Sequence, residues 1–269
     1  MDHLPGDWVE TVRRAADHRE FVGPGGEYDI NGALQFSLLV FLGMRESDLL
    51  LDIGCGSLRG GRFAMAYLQP DHYFAIEPER WLVEAAIERE IGRDLVRLKR
   101  PTFDHGRDFG CGRFGRVFDF ILAQGVFTHA PLADIAACTS AAAGCMGPQS
   151  VFLATFMEGE TDYDGVEWRY PQTSWYTPAR MARTAAAADL VTVPIPWPHP
   201  RNARWLGLCR PGHAPALNAL VAGLPVPRLL ARRPIDDTVP RATVLGSLAT
   251  SARRLAGSLG RRLRRSVSP

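Results

Sequence analysis

The residues of this chain best suited to chemistry are an acid followed by two glycines, and a second acid about twenty residues later. An apolar run leads into Asp52, and Gly54 and Gly56 follow. A second apolar run, residues 72–76, ends at Glu77. Each run predicts a buried strand, and glycines let the backbone turn tightly and approach a ligand closely.

Two such strands, as parallel neighbours, would hold a glycine turn and a carboxylate side by side at their C-terminal ends. Open α/β sheets bind nucleotides at that edge, and a carboxylate there can accept both ribose hydroxyls of an adenosine. A dinucleotide site needs a third glycine, but Arg59 stands at its position and Gly60 comes one residue late. Asp52 would also repel a pyrophosphate, whereas it suits a cationic ligand.

The pattern resembles the class I S-adenosylmethionine-dependent methyltransferases, in which an acid precedes G-x-G and a second acid ends the next strand. The resemblance covers roughly residues 28–209. It implies an α/β, Rossmann-like fold, a seven-stranded and mostly parallel sheet with helices on both faces. It also implies S-adenosylmethionine as the cofactor. The chain departs from the pattern at Leu58, where many members have glycine, and we expect Gly60 and Gly61 to provide the close packing instead.

The resemblance also implies a set of cofactor-binding residues. The methionine end would be held by Asp52, Gly54, Cys55 and Gly56, and the ribose by Glu77. An acid after the third strand would meet the adenine, and Asp104 and Asp108 compete for that role. Asp104 is favoured because Phe103 beside it could stack on the ring. For either acid, a solvated loop position is the alternative.

Residues 124–129 follow the predicted fourth strand, where related enzymes open their active sites. We expect Gln124 to hydrogen-bond the bound methionine. His129 is the candidate general base, since an imidazole can be neutral at pH 7 and a hydroxyl acceptor must lose a proton. Its alternative role is a structural cap for the helix that starts near Pro131.

An unusually aromatic segment, residues 158–176, follows the predicted fifth strand and should hang over the cofactor. Its rings suit sugars or flat acceptors and could exclude water. The predicted substrate-contacting residues are Tyr163, Trp168 and Tyr170. A self-packed surface loop is the alternative. His199 either borders the same cleft or belongs to a rigid turn, and the N-terminal residues Tyr28 and Gln35 are further candidates to close it.

The composition indicates where in the cell the protein resides and whether it binds a metal. The five cysteines form no C-x-x-C pair, which argues against a disulfide framework or a zinc site and fits a reducing cytoplasm. The first residues lack the layout of a signal peptide, and no segment reaches the ~18 apolar residues of a membrane span. No tight group of acids and histidines predicts a metal site. Abundant alanine and arginine with a single lysine hint at a bacterial source.

Charge is distributed unevenly along the chain. The net charge is +2, yet the segment from Pro211 onward carries ten arginines and two acids, which leaves the body of the protein acidic. An acidic body predicts no nucleic-acid partner. Residues 241–265 could form a basic amphipathic helix that lies on an anionic membrane, and a partly disordered solubilising tail is the alternative.

The order of patterns predicts three regions: an N-terminal helical cap (1–45), the S-adenosylmethionine-binding domain (46–210) and a Pro/Arg-rich extension (211–269). In the cap we expect helices over 8–21 and 31–42, the second N-capped by Asn31. In the domain we expect a third strand within 95–103, a helix capped by Thr177, and an antiparallel hairpin at 190–195 and 203–209. Residues 211–237 resemble a linker.

The sequence therefore predicts a methyltransferase that acts on a small molecule or a glycan, with oxygen as the favoured target atom. Two other classes stay open. A methyltransferase-like module could bind a ligand without turning it over, and a nicotinamide-dependent oxidoreductase would share the sheet, although the misplaced third glycine disfavours it.

Overall fold

A mixed β-sheet forms the centre of the computed structural model, which describes residues 17–225. The described strands are β1 (Leu50–Ile53), β2 (Tyr73–Ile76), β3 (Thr102–Asp104), β4 (Phe118–Ala123), β5 (Met146–Glu158), β6 (Trp175–Tyr176), β7 (Val191–Ile195) and β8 (Arg204–Cys209). They lie in the order β3-β2-β1-β4-β5-β8-β7, and the short β6 pairs with β5 off this path.

The α-helices of the same region alternate with these strands. They are α1 (His18–Phe21), α2 (Tyr28–Phe41), α3 (Gly61–Tyr67), α4 (Arg80–Ala86), α5 (Arg93–Lys99), α6 (Leu132–Ala143), α7 (Pro178–Ala186) and α8 (Ala214–Ala222). A π-helical turn, Ile87–Ile91, continues α4. None of the described helices is both long and apolar enough to cross a bilayer.

Strands β1 and β2 are apolar at nearly every position because both of their faces are covered. All four residues of each strand are buried, which is typical of a parallel sheet between two layers of helices. Leu51 and Ile53 belong to one apolar cluster, and Leu50 and Tyr73 belong to another. The predicted α/β, Rossmann-like class is confirmed, as is the antiparallel pairing of β8 with β7.

Several predicted element bounds are wrong. The helix predicted to start at Asn31 begins at Tyr28, because a 3-10 turn over Gly25–Glu27 leads directly into it. Residues 93–99 form helix α5, and the third strand is limited to Thr102–Asp104. The N-cap at Thr177 is confirmed, since its side chain accepts a hydrogen bond from the backbone N–H of Arg180.

The segment predicted as a linker after residue 210 starts with packed structure. Helix α8 lies against β7 and β8, and its Leu217 is fully buried. Gly207 of β8 lies beneath this side chain, where a Cβ would stand 3.1 Å from Leu217 Cδ2. The core therefore extends beyond the predicted boundary. The predicted basic helix at 241–265, its membrane contact and most of the predicted helix at 8–21 fall outside the described residues.

We expect Leu217→Ala to lower the free energy of unfolding by about 2–4 kcal/mol, because it removes a fully buried side chain and leaves a cavity. Urea unfolding followed by circular dichroism measures this. Leu220→Ala, in the same helix but 39% exposed, is the matched control and should cost far less. Equal losses in the two variants would mean that α8 does not belong to the core.

Candidate functional site

The site is built where the chain leaves β1 and turns beside the end of β2. Ile53 and Ile76 are partners in this parallel pair, and the backbone N–H of Gly54 donates to Ile76 O at 2.8 Å. Gly54 and Gly56 have φ values of +67° and +56°, a region that strongly favours glycine. The turn therefore brings backbone N–H groups to the C-terminal edge of the sheet.

Glu77 joins the glycine turn to the end of β2. Its Oε2 accepts from the N–H of Gly56 at 2.8 Å, and its Oε1 accepts from the N–H of Glu79 at 2.9 Å. Burial raises the pKa of this carboxyl to about 7, although both N–H groups favour the ionised form. Each carboxylate oxygen still has a lone pair that can accept another donor.

Asp52 is the second buried carboxyl of the site. Its Oδ2 accepts from the hydroxyl of Tyr73 at 2.8 Å, and burial raises its pKa to about 6. Tyr73 fits there because Gly61 has no side chain, since a Cβ at Gly61 would overlap the tyrosine hydroxyl. Gly61 thus provides the close packing that the sequence predicted for this position.

A cavity of about 420 Å³ opens over the turn. Among the predicted cofactor residues, it is lined by Asp52, Gly54, Cys55, Gly56, Glu77 and Gln124. Among the residues predicted for chemistry or substrate, it is lined by His129, Trp168 and Tyr170. The fold therefore brings nine of the sequence-predicted residues to one space.

The N-terminal segment and the aromatic loop meet over this cavity. Phe21 and Val22 line it from the end of α1, and Tyr170 lines it from the loop. The hydroxyl of Tyr170 donates to the carbonyl of Phe21, and the two rings lie 5.6 Å apart, centroid to centroid. The prediction that the aromatic loop hangs over the pocket is therefore met at Tyr170.

His129 lies at the cavity wall with a defined tautomer. Its Nδ1 lies 2.6 Å from the carbonyl oxygen of Gln172, and only a protonated nitrogen can donate to that oxygen. Nε2 is then the unprotonated nitrogen. Burial lowers the pKa of the imidazole below its ordinary value, so the ring is neutral at pH 7.

A cluster of polar side chains from four parts of the chain lies at one end of the cavity. Gln124 Oε1 accepts from Gln35 Nε2 at 2.7 Å and from the guanidinium of Arg59. Gln124 Nε2 lies 2.9 Å from His199 Nε2, and the backbone N–H of Arg201 donates to His199 Nδ1 at 3.2 Å. Burial and the charges of Arg59 and Arg201 lower the pKa of His199 to about 4, so this ring is neutral at pH 7.

Several sequence-predicted residues lie outside the cavity lining: Phe103, Asp104 and Tyr163, the alternative Asp108, and the further candidates Tyr28 and His199. Phe103 packs against Tyr73, with ring centroids 6.4 Å apart, in the apolar layer under the sheet edge. The carboxylates of Asp104 and Asp108 are both held by Arg113, which lowers their pKa values. Tyr163 packs on the core beside Tyr176.

Other residues line the cavity that the sequence did not predict. Gly106 and Phe109 come from the loop after β3, Phe21 and Val22 come from the end of α1, and Arg59 follows the glycine turn. For Phe109 the sequence does carry a signal, an aromatic residue between glycines in the loop after the third strand. Phe21 and Val22 carry none, because only tertiary contacts bring them there. Among the described residues, no group of three or more His, Cys, Asp or Glu side chains could hold a metal ion.

Comparisons with known proteins identify the fold. No protein-family model matches the chain, and no curated protein matches its sequence. Solved structures do match. The SAM-bound magnesium protoporphyrin IX methyltransferase ChlM of Synechocystis PCC 6803 shares 16% identity with a TM-score of 0.55. The match covers 78% of this chain and all of that one.

Two further structures have the same architecture. The glycopeptide N-methyltransferase MtfA, in complex with SAM, has a TM-score of 0.51 at 12% identity, over 67% of this chain and 95% of its own. DesVI of Streptomyces venezuelae has a TM-score of 0.50 at 16% identity, over 72% and 99%. The protein therefore has the class I methyltransferase fold, as the sequence motifs predicted.

We expect Tyr73→Phe to raise the pKa of Asp52 above its value of about 6, because the hydroxyl that stabilises the carboxylate is lost. A ¹³C NMR titration of the aspartate carboxyls of the ligand-free protein measures this. Tyr67→Phe is the matched control, since it removes a hydroxyl that donates to Met44 O away from the cavity. An Asp52 pKa that is the same in both variants would contradict the prediction.

Proposed function

We propose that this chain is an enzyme that transfers a methyl group from S-adenosylmethionine to a small-molecule or glycan acceptor, at oxygen. The observation that carries the proposal is the hydrogen bond from Gly56 to Glu77, at the wall of a cavity that Asp52 also lines. This hydrogen bond joins the glycine turn after β1 to the acid that follows β2, the two motifs from which the sequence predicted the cofactor. The enzymes ChlM and MtfA, which share the fold, support methyl transfer and a small or glycosylated acceptor.

The geometry of the turn supports this cofactor. A Cβ at Gly54 would stand 2.6 Å from Val126 Cγ2, and a Cβ at Gly56 would stand 2.7 Å from Val22 Cγ1. Both positions therefore need glycine, because Val126 and Val22 pack against the turn and line the cavity with it. The cavity volume of about 420 Å³ lies within the usual range for small-molecule sites.

The charges and hydrogen bonds of the site suggest which residue would hold each part of the ligand. Glu77 can accept two ribose hydroxyls with the lone pairs that its N–H partners leave. Asp52, which lines the same cavity, would balance the charge of the cationic methionine end. A pyrophosphate would face both acids, so the site disfavours a nicotinamide dinucleotide. We propose that Phe109 covers the adenine in place of Phe103, because Phe109 lines the cavity and Phe103 packs away from it.

The protein would contribute alignment, exclusion of water and a base. When bound, S-adenosylmethionine supplies an electrophilic methyl group. Tyr170 and Phe21 meet over the cavity and would limit water, which strengthens electrostatic interactions inside it. The unprotonated Nε2 of His129 would take the proton of an acceptor hydroxyl, and Trp168 and Tyr170 would contact the acceptor.

Cysteine chemistry bears on the compartment. All five cysteines are buried and unpaired, which supports the cytoplasmic location that we propose.

Isothermal titration calorimetry tests the cofactor. We expect S-adenosylmethionine and S-adenosylhomocysteine to bind, and NAD not to bind. Binding should release protons near pH 6, because the folded protein raises the pKa values of Asp52 and Glu77 to about 6 and 7 and the ligand favours their ionised forms. Affinity should therefore increase as the pH rises from 5 to 8. Repeating the titration in buffers of different ionisation enthalpy measures the number of protons that binding releases.

Glu77→Gln provides the matched variant for this titration. It keeps the shape of the side chain and removes the charge, so it should weaken binding about tenfold or more and reduce proton release. Binding of NAD alone would overturn the proposal. Cofactor binding without transfer of a labelled methyl group to any component of a metabolite extract would favour the non-catalytic module.

We expect His129→Asn to lower kcat by about 10²–10⁴-fold while the affinity for S-adenosylhomocysteine stays within about twofold of the wild-type value. The base is lost, but the cofactor contacts remain. Transfer of labelled methyl groups and calorimetry measure the two quantities. Unchanged kcat would remove His129 from the chemistry and leave it the structural role of holding the carbonyl of Gln172, since the helix after Pro131 has no side-chain cap.

A further inference from the structure

The guanidinium of Arg59 lines the cavity without a carboxylate partner among residues 17–225. Its Nη1 donates to the carbonyl of Val22 at 2.8 Å, and its Nη2 donates to Gln124 Oε1. Its Nε is buried and has no hydrogen-bond partner among these residues. All of its hydrogen-bond partners in this region are therefore neutral, although the side chain carries a full positive charge.

This arrangement is unfavourable without a counter-ion. A buried charge is normally paired, because transfer from water to a less polar site penalises the ionised form. Burial lowers the pKa of Arg59 to about 10, while the carboxyls of Asp52 and Glu27 attract the charge only through space. Arg201 repels it. The cavity thus contains a positive group that an anionic ligand would stabilise.

The surroundings of Arg59 hold the guanidinium in place. Gln124, which accepts from it, is itself fixed by Gln35 and His199. Gln35 fits because a Cβ at Gly60 would overlap its Oε1. A guanidinium that is fixed before binding loses little conformational freedom when it forms two parallel hydrogen bonds to a carboxylate.

Asp52 and Arg59 lie at the two ends of the glycine turn and line the same cavity. They carry opposite charges, yet they form no ion pair with each other in the described part of the chain. Two separated and opposite charges match a ligand end that carries both an ammonium and a carboxylate. S-adenosylmethionine has such an end.

We propose that Arg59 binds the α-carboxylate of the methionine end of the cofactor, and that this contact sets the preference for a ligand that carries an amino-acid group. The inference rests on the proposed function. Gln35, Gln124 and His199 are then positioning residues, which act by fixing the guanidinium. Asp52 would balance the ammonium at the other end of the turn.

The test compares three ligands by calorimetry on the full chain: S-adenosylmethionine, decarboxylated S-adenosylmethionine, and 5′-methylthioadenosine, which lacks the amino-acid end. The wild-type protein should bind S-adenosylmethionine at least about tenfold more tightly than the decarboxylated ligand. Arg59→Met should abolish this difference. It should leave the affinity for 5′-methylthioadenosine within about twofold of wild type, which also verifies that the variant is folded.

Two more variants sharpen the result. Arg59→Lys keeps the charge but loses the paired donors, so it should retain part of the preference. Arg97→Met removes an exposed arginine from α5 and should bind all three ligands as the wild type does. A preference that persists in Arg59→Met overturns the inference, as does an equal loss for all three ligands. If the wild-type protein binds none of them, the proposed function itself fails.

Discussion

One hydrogen bond, from the backbone N–H of Gly56 to the carboxylate of Glu77, organises this protein. It connects the turn after β1 with the end of β2, two strands that are already paired through their backbones. Because the acceptor is a buried carboxylate and the donor is a backbone group in a left-handed turn, neither position tolerates much change. The cavity wall and the approach of Val22 to Gly56 lie at this contact, which also opposes the rise that burial causes in the pKa of Glu77.

The local pattern around β1 and β2 could be predicted because short-range rules determine it. Apolar runs that end in an acid give buried strands, and closely spaced glycines give a tight turn, so Asp52 and Glu77 were placed correctly at the sheet edge. The third strand was harder to predict. It has only three residues, none of them fully buried, and the stretch before it has strong helix formers that make α5.

The error at Phe103 has a geometric origin. Side chains alternate between the two faces of a strand, so an offset of one residue reverses the direction of a side chain. Phe103 pairs with Ala75 and faces the same apolar layer as Tyr73, whereas the cavity is lined by residues of the following loop. Phe21, Val22 and Tyr163 depend on contacts between distant parts of the chain, and a pattern along the sequence does not contain that information.

The contact between Tyr170 and Phe21 joins residues that are 149 positions apart in the chain. The enclosure over the turn is therefore complete only when nearly the whole domain has been synthesised and folded. Because the unfolded chain lacks this enclosure, any ligand held there stabilises the folded domain as a whole, by about 2.7 kcal/mol at a free concentration one hundred times its dissociation constant. A ligand bound in this cavity therefore protects the whole domain from unfolding at once, including helices and strands that it never touches.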